Sequence, residues 1–173
     1  MISNEINVVQ AFIAAINHHD PSALSNLMTE DHTFVDSAGR IQSGRENMTD
    51  GWRQYFRMFP DYEIHVEKLL ADGALVAVFG SASGTYNGKR GLVAENRITM
   101  SAAWRALVEN GRIKLWQVYA DWTEGFKIIE QDESIGSIIR RARTAARAAV
   151  SEVVACSGAG LAANARSRRR SVS

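Results

Sequence analysis

Asn110-Gly-Arg-Ile-Lys-Leu-Trp-Gln-Val-Tyr-Ala-Asp121 is the stretch that decides the fold. Asn-Gly is a turn signal of the kind that opens a strand. Beyond it the residues alternate: Ile113, Leu115, Gln117, Tyr119 and Asp121 point one way, and Lys114, Trp116, Val118, Ala120 and Trp122 the other. Both faces carry bulky apolar groups, and each buried Trp or Tyr is worth roughly several kcal/mol at about 25 cal/mol per Å². A strand covered on both sides is an inner strand of a sheet. Asp121 ends the face of Ile113, Leu115 and Tyr119, which places a carboxylate at the edge of an apolar surface and makes that face the expected site.

Upstream, the pattern divides into helices and strands. Residues 4–18 read as a helix with Ile6, Val9, Ile13 and Ile16 on one stripe and Phe12 beside them. Asp20-Pro21 is an N-cap followed by a proline at the first helical position, opening a short second helix through Leu24, Leu27 and Met28. His32 to Ser37 reads as a strand with His32, Phe34 and Asp36 on one face, then a hairpin through Ala38-Gly39-Arg40. Ser43-Gly44-Arg45-Glu46 has capping-box spacing, and the helix it opens carries Met48, Trp52, Tyr55 and Phe59 on one stripe, with Phe56 adjacent. Pro60 stops it. From Tyr62 the period is two. Strands are expected to Leu70, over Leu75–Tyr86 and over Ala94–Val108, the last with Ile98, Met100 and Trp104 to one side.

The predicted class is α+β: a cone-shaped, curved antiparallel sheet with three N-terminal helices on its concave face, a pocket inside, and a C-terminal helical extension. The domains expected are the cone at 1–130, a basic amphipathic helix at 131–156 and a disordered Arg-rich tail at 157–173.

Charge divides along the same line. Residues 140–173 hold eight Arg and one Glu, net +7, so the rest of the chain, from a total of +1, carries −6. The tail helix has three readings: a docking or dimer-extending helix, a membrane-surface helix without an aromatic anchor, or a nucleic-acid contact. No aromatic is interleaved with Arg166–Arg170, so no specific nucleic-acid site is expected. Cys156 is the single cysteine and His18-His19 has no zinc spacing, so no metal, no disulfide and no cofactor is called for. There is no membrane span and no signal-peptide pattern at Met1–Glu5; the expected compartment is cytoplasmic.

Phe59-Pro60-Asp61, the Gly73 turn, Gly84-Thr85 and Gly111-x-Ile113-x-x-Trp116-x-x-Tyr119-x-Asp121 resemble the SnoaL-like branch of the nuclear-transport-factor-2-like superfamily over residues 4–130. The resemblance implies a cone-shaped α+β barrel that forms a homodimer through its outer sheet face, with Trp116, Val118 and Trp122 on that outer side. Against ketosteroid isomerase, Asp36 falls on the general-base Asp and Phe12 on the oxyanion-hole Tyr. Against limonene-epoxide hydrolase, Asp121 falls on a catalytic acid, while Phe79 to Ala82 lacks its Arg and second Asp. Against the polyketide cyclases, Asp121 fits the one acid/base Asp. The function expected is therefore cofactor-free acid/base chemistry of cyclase, isomerase or dehydratase type on an apolar carbonyl substrate. Asp121 and Asp36 would be the catalytic pair, and Phe12, Phe34, Trp52, Tyr55, Phe56, Trp104 and Tyr119 the pocket wall. The alternatives are a non-catalytic ligand-binding or dimerisation module and an epoxide hydrolase.

Overall fold

The computed structural model describes residues 4–141 and 144 and divides into two compact units, Met1–Asp132 and Glu133–Ser173. In the first unit the order is α1 (Asn4–Asn17), α2 (Pro21–Leu27), β1 (Met28–Val35), β2 (Ile41–Ser43), α3 (Arg45–Met58), β3 (Glu63–Asp72), β4 (Leu75–Thr85), a 3-10 turn (Ala94–Asn96), β5 (Arg97–Glu109) and β6 (Arg112–Ala120). Residues 123–132 then form a helix, α4. In the second unit, residues 133–141 are helical. The remainder of the helix expected at 131–156, Thr144 apart, and the tail expected at 157–173 fall outside the described residues.

The expected α+β architecture is present. Its six strands form one open sheet in the order β2-β1-β6-β5-β4-β3. It is not wholly antiparallel: β1 runs parallel to β6, because the chain passes through α3 and the β3–β5 meander before β6 returns beside β1. Helices α1, α2 and α3 pack on one face of the sheet. Asp20 caps α2 as its sequence demands, its carboxylate accepting the backbone N–H groups of Ser22 and Ala23. The capping box at Ser43 does not form. Ser43 ends β2, Gly44 is the N-cap of α3 with φ of +96°, and no side chain caps the helix. Ser43 is one residue too early to cap: it is still in the strand, where its hydroxyl lies 3.4 Å from that of Thr33.

The motif residues that carry the family resemblance are largely structural. Asp61 accepts the backbone N–H and hydroxyl of Thr85 and pairs with Arg97, tying the end of β4 to the loop after Pro60. The Asn17 side-chain amide donates to the Ile64 carbonyl and accepts its N–H, completing the edge of β3. Glu67 is the extra residue of a bulge in β3, opposite Gly80, where any Cβ would run into the His65 carbonyl.

A second bulge inverts the expected faces of β6. Leu107 pairs with Leu115 and Val108 with Ile113, so Lys114 is an unpaired extra residue. Alternation restarts there, and Ile113 and Trp116 both face the helices, each almost fully buried. Trp116, Val118 and Ala120 therefore line the concave face, and Leu115, Gln117 and Tyr119 lie on the outer one. This corrects the expectation that Asp121 and Tyr119 share the pocket face while Trp116, Val118 and Trp122 face outward.

Candidate functional site

The concave face pairs its inward residues in rows across the strands. Val76, Ala106, Trp116 and Phe34 form one row and Val78, Trp104 and Val118 the next. Then come Gly80, Ala102 and Ala120, and beyond them Ala82 and Met100. The large rings make a floor, whereas the Gly/Ala rows leave space that the helices do not fill. The result is a cavity of about 430 Å³ between the sheet, α3 and α4. That is within the range of small-molecule pockets, roughly 300–1,000 Å³. All four tryptophans, Trp52, Trp104, Trp116 and Trp122, contribute to its wall.

Of the expected pocket residues, Phe34, Trp52, Tyr55 and Trp104 line the cavity. Phe12 and Phe56 lie behind the wall. Phe12 packs against Trp116 with ring centres 5.2 Å apart, and Phe56 stacks on Trp52 at 5.4 Å. Tyr119 is on the outer face and half exposed, a consequence of the Lys114 bulge. Four wall residues have no signal of the site in the sequence. Tyr62 marks only the start of a strand there, Phe126 and Ile129 belong to α4, and Arg40 has the place of a turn residue.

The two expected catalytic carboxylates are not brought together in an apolar hollow. Asp36 lines the rim of the cavity, its side chain one-fifth exposed. Its Oδ1 accepts the backbone N–H groups of Ala38 and Arg40, both at 2.9 Å, and its Oδ2 accepts Nε of Arg40 at 2.6 Å. Burial pushes its pKa up, but these hydrogen bonds outweigh burial and hold it below the ordinary carboxylate value. Asp121 is exposed and does not line the cavity. Its carboxylate accepts the backbone N–H of Thr123 at 2.9 Å at the start of α4, and hydrogen bonding with Thr123 lowers its pKa. A negative group there suits the positive end of a helix.

Other polar groups sit deeper. The Trp52 indole N–H is buried and has no acceptor among the described residues. Tyr55 and Tyr62 meet edge to face, 5.0 Å between ring centres, and burial raises both phenol pKa values well above the usual 10. Below the floor, His32 is fully buried. Its Nδ1 donates to the Ile113 carbonyl at 2.8 Å, and Nε2 has no partner among the described residues. Burial lowers its pKa against that hydrogen bond, so the ring is neutral.

Asp132 on α4 is held in a buried cluster that the sequence does not signal. Asp132 accepts the Lys89 backbone N–H at 2.6 Å, Arg90 Nε at 2.7 Å and the Asn96 amide at 3.0 Å. Arg90 also donates to the Asn96 oxygen. Gly88 passes so close to the Asp132 carboxylate that a Cβ has no room. Burial raises the Asp132 pKa, and the bonds from Asn96 and Arg90 more than reverse it.

Among the described residues no group of three or more His, Cys, Asp or Glu is placed to hold a metal ion, and no helix is long and apolar enough to cross a membrane.

An open mixed sheet with three helices on one face and an apolar cavity between them defines the class of small α+β pocket proteins. The chain belongs to the SnoaL-like domain family, whose model matches residues 9–116. Three solved structures share the fold. One is a protein with a ketosteroid isomerase-like fold from Catenulispora acidiphila, in complex with trimethylamine. It is 22% identical, covering 71% of this chain and 92% of its own, at a TM-score of 0.62. A second is an LEH-like epoxide hydrolase from M. tuberculosis, 19% identical over 79% of this chain and 96% of its own, also at 0.62. A third is named for a SnoaL-like polyketide cyclase, from Jannaschia sp. CCS1, 16% identical over 73% and 91%, at 0.64. A comparison with curated proteins found no match.

Proposed function

We propose that this protein binds an apolar small molecule in the cavity, and that binding rather than acid/base turnover is what the site is built for. The observation that carries this reading is the cavity itself: about 430 Å³, walled by four tryptophans and two tyrosines, with Asp36, the only carboxylate among the described lining residues, neutralised at the rim. A general base works best with a pKa near the working pH. Asp36 is shifted the opposite way, and Asp121 is outside. The test is quenching or shift of tryptophan emission on titration with apolar molecules, repeated on Ala120→Phe, which fills the small-residue row. Saturable binding that Ala120→Phe abolishes supports the reading. No response in the wild type, or equal binding by the variant, removes it.

A second reading is turnover through Asp36 alone, because its carboxylate does border the cavity. Product formation from an apolar carbonyl or epoxide substrate that disappears in Asp36→Asn would establish it in place of simple binding. For partners we propose a homodimer through the outer sheet face, carried by other residues than Trp116, Val118 and Trp122. Phe79, Ala103 and Tyr119 lie side by side there, and Leu75, Phe79 and Tyr119 are exposed. A Phe79→Lys/Tyr119→Lys variant that stays dimeric in light scattering would remove that face from consideration.

A further inference from the structure

The hydrogen-bonding capacity around the cavity is lopsided. A carboxylate offers about four acceptor positions, and three of those on Asp36 are filled by Ala38 and Arg40. The Arg40 guanidinium spends only Nε on Asp36, and both of its terminal NH2 groups have no partner among the described residues. Deeper in, Trp52 presents an indole that can only donate and has no acceptor among the described residues. Burial keeps the Tyr55 and Tyr62 phenols protonated; the two hydroxyls share one hydrogen bond, which uses one of their protons and leaves the other to give. Donors are left over at both the rim and the wall, while Asp36, the one anionic acceptor among the described lining residues, is nearly used up.

Resting on the reading that the cavity binds an apolar molecule, we infer that this ligand carries an oxyanion head group of carboxylate type, held at the rim by the terminal nitrogens of Arg40 with the apolar body against the tryptophans. Arginine matches a carboxylate with two parallel N–H donors. A cationic ligand is the chemical competitor, because aromatic walls attract ammonium groups through their ring faces. It would have to sit beside Arg40 and share a carboxylate with little acceptor capacity left. The Arg40 side chain is three-quarters exposed, so the head group stays hydrated and its attraction is screened by salt.

The test uses the full chain and three probes of matched length: decanoate, methyl decanoate and decylammonium, each below its micellar concentration and read by tryptophan emission. Decanoate should bind more tightly than decylammonium. In Arg40→Gln the ratio of decanoate to methyl decanoate affinity should fall about tenfold. The decanoate advantage should shrink at ~0.5 M salt. A far-UV circular dichroism spectrum and a Tm like those of the wild type show that the variant is folded. Decylammonium binding as tightly as decanoate, or an acid-to-ester ratio that survives Arg40→Gln, overturns the inference while leaving the pocket intact. Failure of all three probes to bind the wild type overturns the pocket reading as well.

Discussion

Replacing Trp116 by Ala and, separately, Tyr119 by Ala tests the inversion of β6 that the Lys114 bulge produces. Trp116 is 1% exposed and packs against Phe12 at 5.2 Å and Trp104 at 6.3 Å between ring centres. Removing an aromatic side chain from such a site costs about 3–5 kcal/mol, the lost transfer energy plus the void left behind. Trp116 also borders the existing cavity, and the new void merges with it, so relaxation of the neighbours recovers little. For a folded unit of this size, on the order of 4 °C per kcal/mol, Tm falls by roughly 12–20 °C. Tyr119 is half exposed, with Ala103 as its neighbour on β5, and its removal costs about 1 kcal/mol or less. Urea unfolding followed by far-UV circular dichroism gives both values, at two protein concentrations so that self-association through the outer face shows as a concentration-dependent loss for Tyr119→Ala alone. Equal, concentration-independent losses for the two variants would refute the assigned faces.

Three further outcomes are expected. Asp132→Ala should cost about 3 kcal/mol, because it strands a half-buried Arg90 and several N–H donors, measured by urea unfolding. His32 makes stability depend on pH near neutrality: its folded pKa lies below the unfolded value of about 6.5, so the unfolded chain takes up the proton first as pH falls. Its contribution is fully present above about pH 6.5 and is lost toward the folded pKa, with a slope of at most about 1.4 kcal/mol per pH unit; His32→Gln should flatten that part of an unfolding-midpoint profile. Asp121→Asn should leave probe binding unchanged in the tryptophan-emission titration, and a weakened affinity would put Asp121 back at the site.

The helices are legible in the sequence because their apolar stripes have the right period and because Asp20-Pro21 and Pro60 mark real boundaries. The strands are legible from alternation, and β1 shows its true inner face, since no bulge intervenes after His32. In β6 alternation holds on each side of Lys114 but not through it. A bulge has no signature in a single sequence beyond a residue whose polarity suits either face, and a lysine at a strand edge fits both. One extra residue moves Asp121 and Tyr119 out of the pocket and Trp116 into it. The Asp132–Arg90–Asn96 cluster is invisible for another reason: its members lie 6 to 42 residues apart, and none stands out until the chain is folded.

Chemistry is misplaced along with the faces. Carboxylates at positions where the resemblance implies catalytic acids are the main reason to expect turnover, yet each has a sufficient structural occupation. Asp36 organises the β1–β2 turn by three hydrogen bonds, and Asp121 accepts the Thr123 N–H at the start of α4. Asp61, in the Phe-Pro-Asp motif, fastens Thr85 and Arg97 in the same way. Each accepts backbone hydrogen bonds, and each has its pKa lowered, the state that favours a permanent charge over proton transfer. An acid/base catalyst needs the reverse: desolvation that is not compensated by donors. In this chain desolvation outweighs hydrogen bonding at the Tyr55 and Tyr62 phenols and the His32 ring, and the Trp52 indole is buried with no acceptor among the described residues. Three of these four line the cavity, and among them the Trp52 indole and one of the two hydrogen-bonded phenols keep a proton to donate. The interior is therefore prepared to recognise a ligand's acceptors rather than to remove its protons.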